Sequence, residues 1–228
     1  MAAHKDEASM LRESLTDMLK SAEIDIEHDK GDGSCLGYPA ALTLFAICDA
    51  IGSYYERASD FTIPLDGRRV GIGGEHFRIL NGPHYGLDLT SSLIKFLTEH
   101  FRNPLAHHAL IGRNCVLYKN HPESRPFFVA ELEGDKVQVA VVNLVPFLDV
   151  SKQAAAAFLT DVDSIISNSR NEAYLRAKAD YGEMRAVELQ PKATSVITIQ
   201  ANCVTGFFTS ESLASSIDRA TLEFPDDN

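Results

Sequence analysis

The chain has 228 residues, 45% of them hydrophobic and 23% charged, with a formal net charge of −11. That is enough apolar material for one domain with an appendage, and so acidic a balance argues against non-specific nucleic-acid binding over the whole surface, which depends on cations meeting phosphates. No run approaches the ~20 apolar residues of a membrane span, the start has no apolar signal core, and Cys35, Cys48, Cys115 and Cys203 form no CxxC or disulfide-dense pattern, so a cytoplasmic, reducing location is expected.

In chain order, residues 6–28 place Leu11, Leu15, Met18, Leu19, Ala22 and Ile26 on one helical face with charges between them. "DKGDGSCLG" breaks the chain, and a second helix is predicted from Pro39 to Arg57, apolar on most sides and therefore central. "FTIPLDGRRVGIGG" follows as a turn-rich stretch, then a short helix "EHFRILN" and the break "NGPHYG". A third helix is expected with Asp88 as its N-cap, its apolar stripe running through Leu93, Ile94, Leu97 and Phe101. From Cys115 the pattern alternates: "CVLYK", "PFFVAELE" and "KVQVAVVNL", with "EGDK" as a hairpin turn signal. A helix resumes near Asp149 and is expected to continue, interrupted near Asn168, to about Met184. The predicted architecture is mainly α. Residues 1–184 form a helical domain with a small antiparallel β insertion at about 114–143, and residues 185–228 form an appendage, partly disordered at its end.

Charge divides unevenly along this layout. Residues 1–67 carry 5 Lys/Arg against 13 Asp/Glu, and residues 126–228 carry 8 against 15. The middle, 68–125, carries 8 against 4 and holds six of the eight histidines. Only this third has the sign for an anionic ligand.

Three features suggest a ligand but have simpler readings. The glycines of "GRRVGIGG" could offer amides to an anion, but the stretch lacks a P-loop Lys-Ser/Thr and reads as a mobile surface loop. "DKGDGS" begins like a calcium loop, yet the twelfth position from Asp29 is Ala40. His100 and His107 are two helical turns apart, but nothing completes a metal ligand set, so no metal or cofactor is expected. No nucleophile elbow is present either.

The remaining feature is "HFRNPLAHHALIG", His100 to Gly112. In one reading it is helix punctuation: cations near a C-terminus complement the dipole by about 0.3–1 kcal/mol, and Pro104 ends the helix with Asn103 biased away from the α region. In the other it is chemistry. A guanidinium can fork onto phosphate oxygens, an imidazole can move a proton near neutral pH, and an asparagine can orient either. On a straight helix Arg102 and His107 lie about 140° apart, and a break at Pro104 would let them converge. Attack by a ribose 2′-OH on its own phosphodiester needs a base, an acid and a cation of this kind, and no metal.

Arg102, Asn103 and His107 resemble the R-x(4–6)-H motif of the HEPN superfamily, in which the residue after the arginine is polar. The "RNPLAH" run is similar to that of bacterial HEPN-like proteins of uncharacterised activity. The resemblance implies an up-and-down helical bundle that dimerises through the motif-bearing helices. It also implies a composite, metal-independent endoribonuclease site, leaving a 2′,3′-cyclic phosphate, with a place in defence or stress response. Carried over, Arg102 would hold the phosphate, His107 would move the proton and Asn103 would orient the site. His108 also satisfies the spacing, and His100 and Arg113 are further candidate binding residues. RNA or a nucleotide, and an antitoxin or regulatory protein, are the partners implied. The alternative is a non-catalytic dimeric module binding nucleotide or protein, and the third reading is a structural helical protein in which the motif is incidental. An open, positively charged cleft around Arg102 and His107 would favour the enzyme. A motif whose hydrogen bonds are already satisfied would favour the other two.

Overall fold

The computed structural model describes residues 7–56, 58–131 and 138–167. The expected helical continuation to Met184 and the appendage at 185–228 lie outside these residues. The described part is mainly α-helical with two small sheets: six α-helices, a two-stranded sheet and a three-stranded one. None of the described helices is long and apolar enough to cross a membrane.

Helix α1 (Glu7–Glu27) lays Leu15, Ala22 and Ile26 against helix α2 (Gly37–Ser53) and helix α5 (Leu144–Thr160). The linker "DKGDGS" is built from local side-chain turns, with Asp29 accepting from the Gly31 and Gly33 amides and Asp32 from that of Ser34. Helix α2 is central, as its all-round apolar sequence predicts. At its middle Phe45 is fully buried, its ring 5.2–6.3 Å from those of Phe77, Phe101, Phe127 and Phe147. Burying one such side chain is worth about 1.5–3 kcal/mol. Here it also ties four separate stretches of chain to one point.

Strands β1 (Thr62–Leu65) and β2 (Arg68–Gly71) form an antiparallel hairpin turning through Asp66 and Gly67, both at positive φ. Half of the glycine-rich stretch "GRRVGIGG" read as a surface loop is therefore a strand, β2, paired with β1. The inward residues of β1, Ile63 and Leu65, had too short a run to show an alternation. A 3-10 helix (His76–Asn81) follows, and buried Asn81 pins the chain on both sides, donating to the Pro64 and Leu89 carbonyls and accepting from the Leu89 amide.

Helix α3 (Ser91–Leu97) is capped by Thr90, which accepts from the Leu93 amide, so the cap is not Asp88. It passes into a π-helical turn (Thr98–Arg102) and helix α4 (Asn103–His108), so the helix does not end at Pro104. Asn103 has φ −66° and ψ −46°, squarely helical despite preceding a proline, and its N–H donates to Thr98 O, five residues back. The wider turn accommodates the pyrrolidine ring. The carbonyl that Pro104 cannot serve, that of His100, accepts instead from the Gly112 N–H at 2.7 Å. The helix finally stops at Ala109, in the left-handed region at φ 53°, with the Leu110 N–H returning to Pro104 O.

The second sheet, strands β3 (Cys115–Tyr118), β4 (Phe127–Glu131) and β5 (Gln138–Asn143), is mixed and not antiparallel throughout. Strand β5 lies in the middle, antiparallel to β4 and parallel to β3. Both of its faces are buried, Ala140 and Val142 toward the main core and Val139 and Val141 toward Phe128 on the other side. The connection from β3 to β4 is held by fully buried Asn143, which accepts from the His121 amide and donates to the His121 and Glu123 carbonyls. Helix α5 starts directly after it at Leu144, five residues before the predicted position, and helix α6 (Val162–Ser167) follows a break at Asp161.

Candidate functional site

Arg102 leaves the last residue of the π-helical turn and faces α2. Its Nη2 donates to Asp49 Oδ2 at 2.7 Å and its Nη1 to Asn103 Oδ1 at 3.0 Å. The other oxygen of Asp49 accepts from His76 Nδ1 at 3.0 Å, and His76 Nε2 lies 3.4 Å from Glu56 Oε2. An arginine, an aspartate and a histidine from three elements, with a glutamate from the turn after α2, are thus joined in one chain of contacts. Each side chain is between 22% and 33% exposed, so the network is neither dry nor freely hydrated.

Local packing explains why these groups meet. Phe101, beside Arg102, and Phe77, beside His76, both pack on Phe45 of α2. Their neighbours are thereby brought to the same end of α2, where Asp49 is the helix's one charged residue. Gly52 completes the approach: a Cβ there would lie 2.3 Å from the His76 carbonyl oxygen. The 3-10 helix crosses α2 where α2 has no side chain.

Beside the network is an open cleft of about 360 Å³, lined by Asp49, Glu75, His76, Thr98 and Arg102 among others. Its charge is the informative quantity. One guanidinium faces the carboxylates of Asp49 and Glu75, with Glu56 beyond the imidazole. Arg102 keeps three of its five N–H donors outside these two contacts. A phosphate reaching it must nevertheless displace Asp49 or share the site with it.

The other predicted residues lie elsewhere. Asn103 joins Arg102, as described. His107 and His108 are exposed on the last turn of α4, their ring centroids 6.4 Å apart, and His107 makes no hydrogen bond to Arg102. Because the helix continues through Pro104, the convergence that a break would have allowed does not occur within one chain. The His100 ring packs against that of Phe96, tilted by 36° with centroids 4.3 Å apart, and Arg113 is exposed in the turn before β3. No group of three or more His, Cys, Asp or Glu suited to a metal occurs among the described residues.

Sequence reasoning missed Asp49, Glu56 and His76. Asp49 did leave a signal, as a lone carboxylate within the otherwise uncharged α2. His76 left none, since its place depends on how the 3-10 helix crosses α2. Neither a family model, nor a curated protein, nor a solved structure matches the chain.

Proposed function

We propose that this chain is a HEPN-like, non-catalytic module that works as a homodimer joined through α4 and its flanking turns, with the described helices forming its bundle. The observation that carries this reading is the 2.7 Å pairing of Arg102 with Asp49 beside further carboxylates, away from His107. In this module Arg102 braces α2, the π-helical turn and the 3-10 helix. The exposed end of α4, with His107, His108 and 60%-exposed Leu110, is the contact surface.

The test is cleavage of a labelled RNA pool in EDTA by wild type, Arg102→Ala and His107→Ala, with solution mass measured by light scattering. Equal background from all three, and a dimer that Leu110→Asp dissociates, are expected. Metal-free cleavage leaving cyclic phosphate ends, lost on removing Arg102, would overturn the proposal. Loss of a general acid–base group typically costs roughly 10²–10⁴-fold in rate.

A second reading, the metal-independent endoribonuclease, draws on a separate observation: Asp49 bridges Arg102 and His76 within one open cleft. Its mark would be cleavage that falls with His76→Ala as well as with Arg102→Ala.

A further inference from the structure

A second cavity, of about 530 Å³, lies between α3 and the three-stranded sheet, outside the Arg102 network. Its size falls within the range of small-molecule pockets. The floor is apolar, formed by Leu93 and Phe96 of α3 with Val129 and its cross-strand neighbour Ala140 of the sheet. Arg113, Asn114 and Gln138 supply polar groups at the rim. Among the described residues no carboxylate lines it, although Asp and Glu outnumber Lys and Arg by 32 to 21 in the chain. Arg113 is exposed and makes no ion pair or hydrogen bond with any described residue. This is the reverse of the Arg102 cleft, where the guanidinium already has its carboxylate.

The backbone carrying Arg113 is fixed on both sides. Ahead of it the Gly112 N–H donates to His100 O at 2.7 Å, an approach so close that a Cβ on Gly112 would lie 3.0 Å from the His100 Cβ. After it Asn114, at φ 59°, accepts from the Ala140 N–H at 2.8 Å and starts the parallel pairing of β3 with β5. Two anchored neighbours leave little backbone entropy to lose on binding. A cation with no partner among the described residues, held at the rim of an apolar cavity of this size, suits a ligand with an apolar body and one anionic head.

The geometry points to a binding site between α3 and the three-stranded sheet for a small amphipathic anion, a carboxylate or phosphate monoester, whose head is held by Arg113 and whose body lies on Leu93, Phe96 and Val129. This site does not depend on the reading given to Arg102.

The probe is 8-anilinonaphthalene-1-sulfonate, titrated by fluorescence into the full chain, with circular dichroism to confirm that each variant is folded. Wild type should bind saturably. Arg113→Gln, which removes the cation at an exposed position, should weaken binding roughly tenfold or more, the usual size of a lost charge-assisted contact. Val129→Glu, which puts a carboxylate at the cavity, should weaken it similarly. Decanoate and decyl phosphate should displace the dye better than decanol, and the better of the two identifies the head group. Absence of saturable binding, equal affinity in wild type and Arg113→Gln, or displacement by decanol as strong as by the anions would each overturn the proposal.

Discussion

Replacing Gly52 by alanine tests how the Arg102 network is put together. An ideal Cβ at Gly52 would lie 2.3 Å from the His76 carbonyl oxygen and 2.8 Å from the His76 carbonyl carbon and Cβ, where ordinary contact begins at 3.4 Å. Helix α2 and the 3-10 helix must therefore separate by about 1 Å, since two of the three nearest atoms are His76 backbone that cannot swing aside. Overpacking of this kind costs about 1–3 kcal/mol. The displaced His76 also loosens its contacts to Asp49 and Glu56, each worth about 0.5–1.5 kcal/mol before water at these part-exposed carboxylates recovers some of it. Opposing both, alanine is better than glycine in a helix by about 1 kcal/mol. The sum is a loss of about 2 kcal/mol, read as a lower urea midpoint at unchanged slope. Gly71→Ala, with no heavy atom within 4 Å of its Cβ, is the control and should lie within about 0.5 kcal/mol of wild type. Stability of Gly52→Ala equal to or above wild type would mean that helix propensity decides, and the argument for a close crossing would be wrong.

Three further outcomes are expected. A double-mutant cycle on Arg102→Ala and Asp49→Ala should give a coupling of about 1–2 kcal/mol by urea unfolding at low salt, below the range of fully buried pairs because both side chains are 31% exposed; a coupling near zero would remove Arg102 as a brace. His84, whose Nε2 lies 2.7 Å from the Tyr55 hydroxyl, has its pKa lowered below 6.5 by burial, against the attraction of Asp161. The unfolded chain therefore takes up this proton first, so the contribution to stability is whole above pH 6.5 and is lost as the pH falls below it. Stability curves of wild type and His84→Gln should part in that window, and parallel curves would refute the assignment. Asn143→Ala removes three hydrogen bonds that hold the turn at His121 and Glu123 and should cost about 2–3 kcal/mol, with faster amide exchange at His121 as the local readout.

The relation between sequence and site is clearest at Pro104. Its fixed ring and missing donor were legible, as was the difficulty they pose for a helix. How the chain resolved that difficulty was not: a π-helical turn upstream and a hydrogen bond from Gly112 allow the helix to run on to His108. The outcome decides what the motif can do, because a continuous helix keeps Arg102 and His107 apart where a break would have joined them. Strand β5 shows a similar limit. "VQVAVVNL" marked a strand, yet an apolar residue on each face suits a central strand in either direction, so a mixed sheet and an antiparallel one read alike.

What the amino-acid order determined by itself was local: an amphipathic α1, an α2 apolar on most sides, a mainly helical chain with a β-rich insert, and a middle third carrying the cations. These follow from periodicity and composition, which neighbouring residues set. Only the tertiary structure decided which charges meet. Phe77 and Phe101 converge on Phe45 across long separations in sequence, and in doing so carry His76 and Arg102 to Asp49 while leaving Arg113 beside an apolar cavity with no carboxylate among its described residues. Pairing of that kind depends on how packed elements cross, and periodicity along the chain carries no record of it.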